Sequence, residues 1–97
     1  GLNQNFFFFF FYFVNPMMNR NTSVERRITK DITLFEKNIK KVKKIKHNPD
    51  LNLEHVIDLA IRYYNDAKYY LEKKDYLTSF GCINYAHGLL DAILKWR

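Results

Sequence analysis

The feature that most constrains the fold lies between residues 63 and 94, where apolar and aromatic side chains recur every three or four positions. This spacing places them along one side of an α-helix. The pattern breaks at Lys73-Lys74-Asp75, and Asp75 is a residue type that favours the start of a new helix. The segment therefore predicts two helices joined by a tight turn.

A further amphipathic stretch precedes this hairpin. Its apolar residues are separated by three or four positions, which predicts a helix from about Thr22 to His47-Asn48. Pro49 disfavours helix at the residue before it, and a second helix is expected to begin near Asp50 or Asn52. The predicted fold is all-α, a three-helix up-down-up bundle with long antiparallel helices and short loops. The stripe of the first helix consists of Val24, Ile28, Ile32, Phe35, Ile39, Val42 and Ile45.

The chain of 97 residues is predicted to form one helical-bundle domain at residues 17–97. Residues 6–14 are nine consecutive apolar residues, most of them Phe, which is too short a run for a membrane-spanning helix. Position 1 is not Met, whereas Met17-Met18 directly precedes the first helix. We therefore expect residues 1–16 to lie outside the natural fold. The alternative is a short anchor that buries its rings against a partner or a membrane surface.

The positive charge is concentrated in one helix. Residues 22–46 contain nine Lys or Arg against three acidic residues, a surplus that equals the whole net charge of +6. Such asymmetry indicates that one face binds an anionic partner, such as RNA. The structural alternative is a solvated lysine face that keeps a small protein in solution. The candidate anion-binding residues are Lys30, Lys37, Lys40, Lys41 and Lys44.

A second candidate site lies on the third helix. Asn84, His87 and Asp91 share one side of it, and Gly88 removes a side chain beside them. A carboxylate four residues from a histidine can fix the histidine tautomer, as a general base requires. The alternative is a core histidine whose polar atoms are satisfied by Asp91 or by a tyrosine hydroxyl.

The sequence offers little that indicates catalysis. It contains no glycine-rich phosphate loop and no evident pairing of a nucleophile with a base. Its single cysteine, Cys82, excludes an intramolecular disulfide and fits a reducing cytoplasm. We therefore predict a cytoplasmic, non-enzymatic protein without a metal or other cofactor and without a transmembrane segment.

The third helix predicts the mode of action. Its apolar residues extend nearly all round it, leaving only a narrow strip at Asn84, Gly88 and Asp91. A helix of this kind needs cover from several neighbours, and two other helices are not expected to supply it. The predicted function is accordingly a binding or assembly module acting through protein–protein association, as a homo-oligomer or with a larger partner. The alternative is a module that associates with nucleic acid or nucleotides through the basic face of the first helix.

Two segments carry a family resemblance. They are YYxDAxYxLEKxDY at residues 63–76 and INYAHGLLDA at residues 83–92. Together they resemble an archaeal family of short helical proteins known as domain of unknown function 357. The resemblance covers about residues 22–94 and implies a small helical bundle, with no activity to carry over. The family is expected to continue beyond the LDA motif, so the ending at Lys95-Trp96-Arg97 is consistent with truncation.

Overall fold

The computed structural model describes residues 21–45 and 52–95, which form three α-helices in this part of the chain. Helix α1 comprises Asn21–Lys43, α2 comprises Leu53–Glu72, and α3 comprises Tyr76–Lys95. The all-α fold predicted from the apolar spacing is therefore confirmed. Residues 1–16, predicted to lie outside the fold, fall outside the described residues.

Contacts between helices define the up-down-up topology. Tyr76 and His87 of α3 meet Glu25 and Asp31 of α1, so these two helices run in the same direction. Between α2 and α3 the order is reversed, since Ser79 meets Ala67 whereas Tyr85 packs on Tyr63. α3 packs extensively on α2 and less extensively on α1, while α1 and α2 touch over a small area.

α3 is the central helix of the bundle, and the apolar residues that run nearly all round it are mostly packed against neighbours. Cys82, Ile83, Ala86, Leu90 and Ile93 are all at most 3% exposed. Phe80, Leu89 and Leu94 stay half-buried, so α1 and α2 cover more of α3 than expected, but not all of it. The reason is that α1 and α2 lie on different sides of α3 instead of packing closely on each other.

The turn between α2 and α3 is a Schellman motif without its usual glycine. The Asp75 N–H donates to the Tyr70 carbonyl at 2.9 Å, and the Lys74 N–H donates to the Leu71 carbonyl at 3.0 Å. Lys74 has a φ of 62°, in the left-handed region. Asp75 then caps α3, since its Oδ1 accepts from the Thr78 N–H at 3.3 Å. The tight turn predicted at Lys73-Lys74-Asp75 is confirmed.

α1 ends at Lys43, four residues before the predicted end. Val42 is fully buried, whereas Ile45 is half-buried and lies beyond the helix. The N–H groups of Lys44 and Ile45 donate to carbonyls three residues back, at 3.2 Å each, which tightens the chain as the helix ends. Helical structure thus stops where apolar anchoring stops, because packing supplies most of the stability of a helix.

Candidate functional site

His87 takes its partner from α1 and not from its own helix. Its Nε2 lies 2.7 Å from the Asp31 carbonyl oxygen, which can only accept, so Nε2–H is the donor. The ring stands edge-on to Phe35, with centroids 5.8 Å apart and planes at 79°. Asp91 is exposed and forms no hydrogen bond with His87 in the described part of the chain. The histidine is thus partnered, as the structural alternative held, but by a backbone carbonyl.

The other members of this candidate site are not drawn together around the imidazole. Asn84 is half-buried, and Gly88 is exposed. A Cβ built on Gly88 would have no neighbour within 4 Å, so no other helix of the described residues packs closely on this glycine. These positions form an open strip along the outer side of α3.

Polar contacts continue from His87 along the seam between α1 and α3. Arg27 pairs with the Asp31 carboxylate at 3.2 Å, and its guanidinium lies 6.0 Å from the centre of the Phe80 ring. Further along, Tyr76 donates to Glu25 at 3.3 Å. Burial, followed by the nearby Glu25 charge, raises the pKa of Tyr76. These contacts fix the register of α1 on α3.

Tyr64 of α2 is the centre of the contact between α2 and α1. Its ring stacks on Phe35 with centroids 4.8 Å apart and planes 14° from parallel. Its hydroxyl donates to Glu36, and Lys68 Nζ lies 4.8 Å from the ring centre and 3.4 Å from the hydroxyl oxygen. Burial, followed by the hydrogen bond to Glu36, raises the pKa of Tyr64. The ring therefore has Phe35 stacked on it and a cation near it.

An open groove of about 450 Å³ extends from this contact. Its apolar lining comes from Phe35 and Ile39 of α1 and from Ile61 and Tyr64 of α2, and its polar lining from Glu36, Lys40 and Lys43. α1 and α2 each share a larger interface with α3 than with each other, and the groove lies along their smaller interface. We call this feature the α1–α2 groove. Sequence reasoning did not find it, because the apolar spacing shows which residues face inward but not how far two helices separate.

All five candidate anion-binding lysines are exposed. Lys37, Lys40, Lys41 and Lys44 follow one another along the end of α1, and Lys43 adds a further cation that the sequence-based set omitted. Within residues 21–45 and 52–95, no carboxylate forms an ion pair with any of the five lysines between positions 37 and 44. Lys30 lies apart, in a shallow surface depression lined by Glu25, Arg26, Thr29 and itself. The basic surface is therefore concentrated beside the α1–α2 groove.

The sequence of this helical bundle matches a known protein family. A family described as a protein of unknown function (DUF357) matches residues 30–96. The chain belongs to the DUF357 family. No curated protein matches the chain.

The DUF357 match covers both surfaces described above. It includes the whole lining of the α1–α2 groove, all five predicted anion-binding lysines and the strip with Asn84, His87 and Asp91. Glu25 and Arg27 lie before its first residue. The family description assigns none of these residues a role.

Cys82 is poorly suited to thiol chemistry. The side chain is 3% exposed, and burial, with smaller contributions from Asp66 and Asp75, raises its pKa to about 12. A protonated, enclosed thiol is a weak nucleophile.

Two further properties of the described residues concern metals and membranes. No cluster of three or more His, Cys, Asp or Glu side chains is arranged there to hold a metal ion. None of the helices in the same residues has the length and apolar character needed to cross a membrane.

Proposed function

We propose that this DUF357 protein is a non-catalytic binding module that works through protein–protein association, and that the α1–α2 groove is its contact surface. The observation that carries the proposal is the groove itself. It is an open concave surface between two helices, lined by the half-buried apolar side chains of Ile39, Ile61 and Tyr64 and edged by lysines. Exposed apolar concavities with a polar rim are typical of binding sites.

The proposal shifts the contact from α3 to the groove. Most of the apolar surface of α3 that favoured self-association is buried in the single chain, with Phe80, Leu89 and Leu94 half-buried, so the case for a homo-oligomer is weaker. The sequence also allows association with a larger protein partner. Such a partner could bind in the groove and does not require an uncovered stripe on α3.

A nucleic-acid-associated module is the second candidate, favoured by the exposed lysines without carboxylate partners. Stacking of bases on aromatic rings usually accompanies such a surface in single-strand binding proteins. Tyr64, which lines the groove together with Lys40 and Lys43, already stacks on Phe35 and has Lys68 against it. The arrangement therefore favours protein association over recognition of single-stranded RNA.

Site-specific photocrosslinking in the cells that naturally make the protein distinguishes protein association from RNA binding. A photoreactive amino acid replaces Ile61 in the groove in one variant and Asp91 on the outer strip of α3 in a matched control. We expect protein adducts from the groove position only, unaffected by ribonuclease. Adducts that ribonuclease removes would support the RNA alternative, and equal adducts from both positions would overturn the groove as the contact surface.

The predicted cellular location and the predicted archaeal source are also part of this proposal. A reducing cytoplasm fits the single buried thiol of Cys82, and an archaeal source follows only from the resemblance of the two sequence segments. Fractionation of the source cells checks the first prediction; recovery of the protein outside the cytoplasm would contradict it.

A further inference from the structure

We infer that the occupant of the α1–α2 groove is an amphipathic helical segment of another protein, with apolar anchors along one face and carboxylates beside them. This inference rests on the proposed function, because it names the kind of partner that the association module takes. It follows from three properties of the groove: its walls, its charge and its lining.

The walls of the groove are two helices, which favours a helix as the occupant. α1 and α2 both lie against α3 and share a smaller interface with each other, which includes the Phe35–Tyr64 stack. Side-chain ridges on the two walls can receive the ridges of a further helix, as in helix-in-groove recognition. Such a helix would complete a four-helix packing around the groove. The described residues contain no strand, so they offer no sheet edge to which an extended peptide could be added.

The rim of the groove is positively charged, which favours an acidic occupant. Lys40 and Lys43 belong to the lining, are exposed and have no carboxylate partner in the described residues. The only carboxylate of the lining, Glu36, already accepts the Tyr64 hydroxyl hydrogen. A partner carboxylate reaching Lys40 or Lys43 would form a charge-assisted hydrogen bond, which is stronger than a bond between neutral groups.

The apolar part of the lining argues for a partner with a stripe of apolar residues. Ile39, Ile61 and Tyr64 are half-buried and leave apolar surface on the groove. A second copy of this chain does not supply a matching stripe from its described residues. Its acidic helix α2 exposes one large apolar side chain, Tyr69, whose ring already has Lys73 Nζ at 5.6 Å from its centre. The described residues of a second copy thus supply no matching occupant, which favours a different protein as the partner.

A displayed library of helix-forming peptides, with varied residues on the helix surface, tests this directly against the full chain. We expect the selected peptides to carry apolar residues at helical spacing with Asp or Glu beside them. A representative peptide should lose at least about tenfold in affinity when the same residues are shuffled or when Lys replaces its acidic residues, a factor equivalent to about 1.4 kcal/mol. Absence of selected binders, or selection of basic or non-periodic peptides, overturns the inference.

Matched charge reversals then locate the binding surface. The double variant Lys40→Glu/Lys43→Glu changes the rim, whereas Lys37→Glu/Lys41→Glu makes the same charge change on the same helix outside the groove lining. All four side chains are exposed, so both variants are expected to fold. We expect loss of peptide binding in the first variant and retention in the second. Equal loss in both would show attraction to the whole lysine surface and overturn the assignment to the groove.

Two further measurements on the same variants test whether the groove instead binds a second copy of the chain or RNA. If light scattering shows a dimer that Lys40→Glu/Lys43→Glu dissociates, the occupant is a second copy and the inference is overturned. If polyuridylate RNA displaces the peptide and needs all four lysines, the surface is an RNA site. Different results would contradict the proposed function and the present inference. Ribonuclease-sensitive crosslinks at position 61 would contradict protein association. Protein crosslinks together with selection of non-acidic peptides would contradict only the inference about the occupant.

Discussion

At the scale of single residues, polar groups on the apolar helices are satisfied by neighbouring backbone. His87 donates to the Asp31 carbonyl, and the buried Ser79 hydroxyl donates to the Ala67 carbonyl at 2.6 Å. Neither partner could be predicted from spacing, because each lies on a different helix and is a main-chain oxygen that every residue type provides. The sequence did show that these polar groups lie on a helix that is mostly apolar, and a buried polar group needs a partner.

The first prediction separates His87 from Asp91. Replacing His87 by Ala removes a hydrogen bond and the edge contact with Phe35, so we expect a loss of about 2 kcal/mol in the free energy of unfolding. Asp91→Ala, at an exposed position on the same side of α3, should change it by less than about 0.5 kcal/mol. Urea denaturation measures both. Equal losses would mean that the two side chains act as a pair.

The second prediction concerns Cys82, whose pKa of about 12 exceeds the ordinary value of 9.0. Below about pH 9 the thiol is protonated in both the folded and unfolded chains, so it adds no pH dependence. Above that pH the unfolded chain loses the proton first, which favours unfolding until the folded thiol also titrates near pH 12. Within this window, the contribution to stability should fall by about 1.4 kcal/mol per pH unit.

Cys82→Ala isolates this effect. The variant loses packing by a constant amount, but its unfolding free energy should decline less between about pH 9 and 12 than that of the parent protein. Tyr63, Tyr64 and Tyr76, whose pKa values are also raised, titrate in both proteins and largely cancel in the difference. Parallel pH profiles for the two proteins would contradict the assignment.

At the scale of helices, the sequence predicted what local periodicity controls. The buried residues Ile28, Phe35 and Val42 lie on the predicted stripe of α1, and the buried residues Ile57, Ala60 and Ala67 of α2 also recur at helical spacing. The end of α1 was predicted wrongly and the uncovered part of α3 was overestimated, because both depend on how the three helices are arranged. Periodicity identifies the inner face of each helix, whereas the crossing of two helices depends on the fit of their side chains.

The turn after α2 yields the third prediction. Lys74 occupies a left-handed conformation that costs a side-chain-bearing residue about 1 kcal/mol or more, so Lys74→Gly should raise the unfolding free energy by about 1 kcal/mol. Lys73 is right-handed, with φ −78° and ψ −1°, and Lys73→Gly is the matched control. The control should lower stability by up to about 1 kcal/mol. Thermal denaturation distinguishes them, and destabilisation by both variants would exclude the relief of strain at Lys74.

At the scale of the whole molecule, the bundle consists of a closely packed hairpin and one less extensively packed helix. α2 and α3 share the largest interface, whereas α1 is held mainly on α3 and meets α2 near Phe35 and Tyr64. The same arrangement creates the α1–α2 groove. Stability and the proposed binding surface are thus linked, because a closer approach of α1 to α2 would add contacts and close the groove.

This arrangement predicts that α1 separates before the hairpin unfolds, since the regions with fewest buried contacts open at the lowest free energy. Amide hydrogen exchange should therefore be faster in α1 than in α2 and α3. Phe35→Leu removes the ring that stacks on Tyr64 and meets His87, so it should accelerate exchange in α1 selectively. Ile83→Val, a change at a fully buried position of the central helix, is the control and should reduce protection in all three helices. If Phe35→Leu accelerates exchange equally throughout, the three helices open as one cooperative unit, and the separation of α1 from the hairpin does not occur.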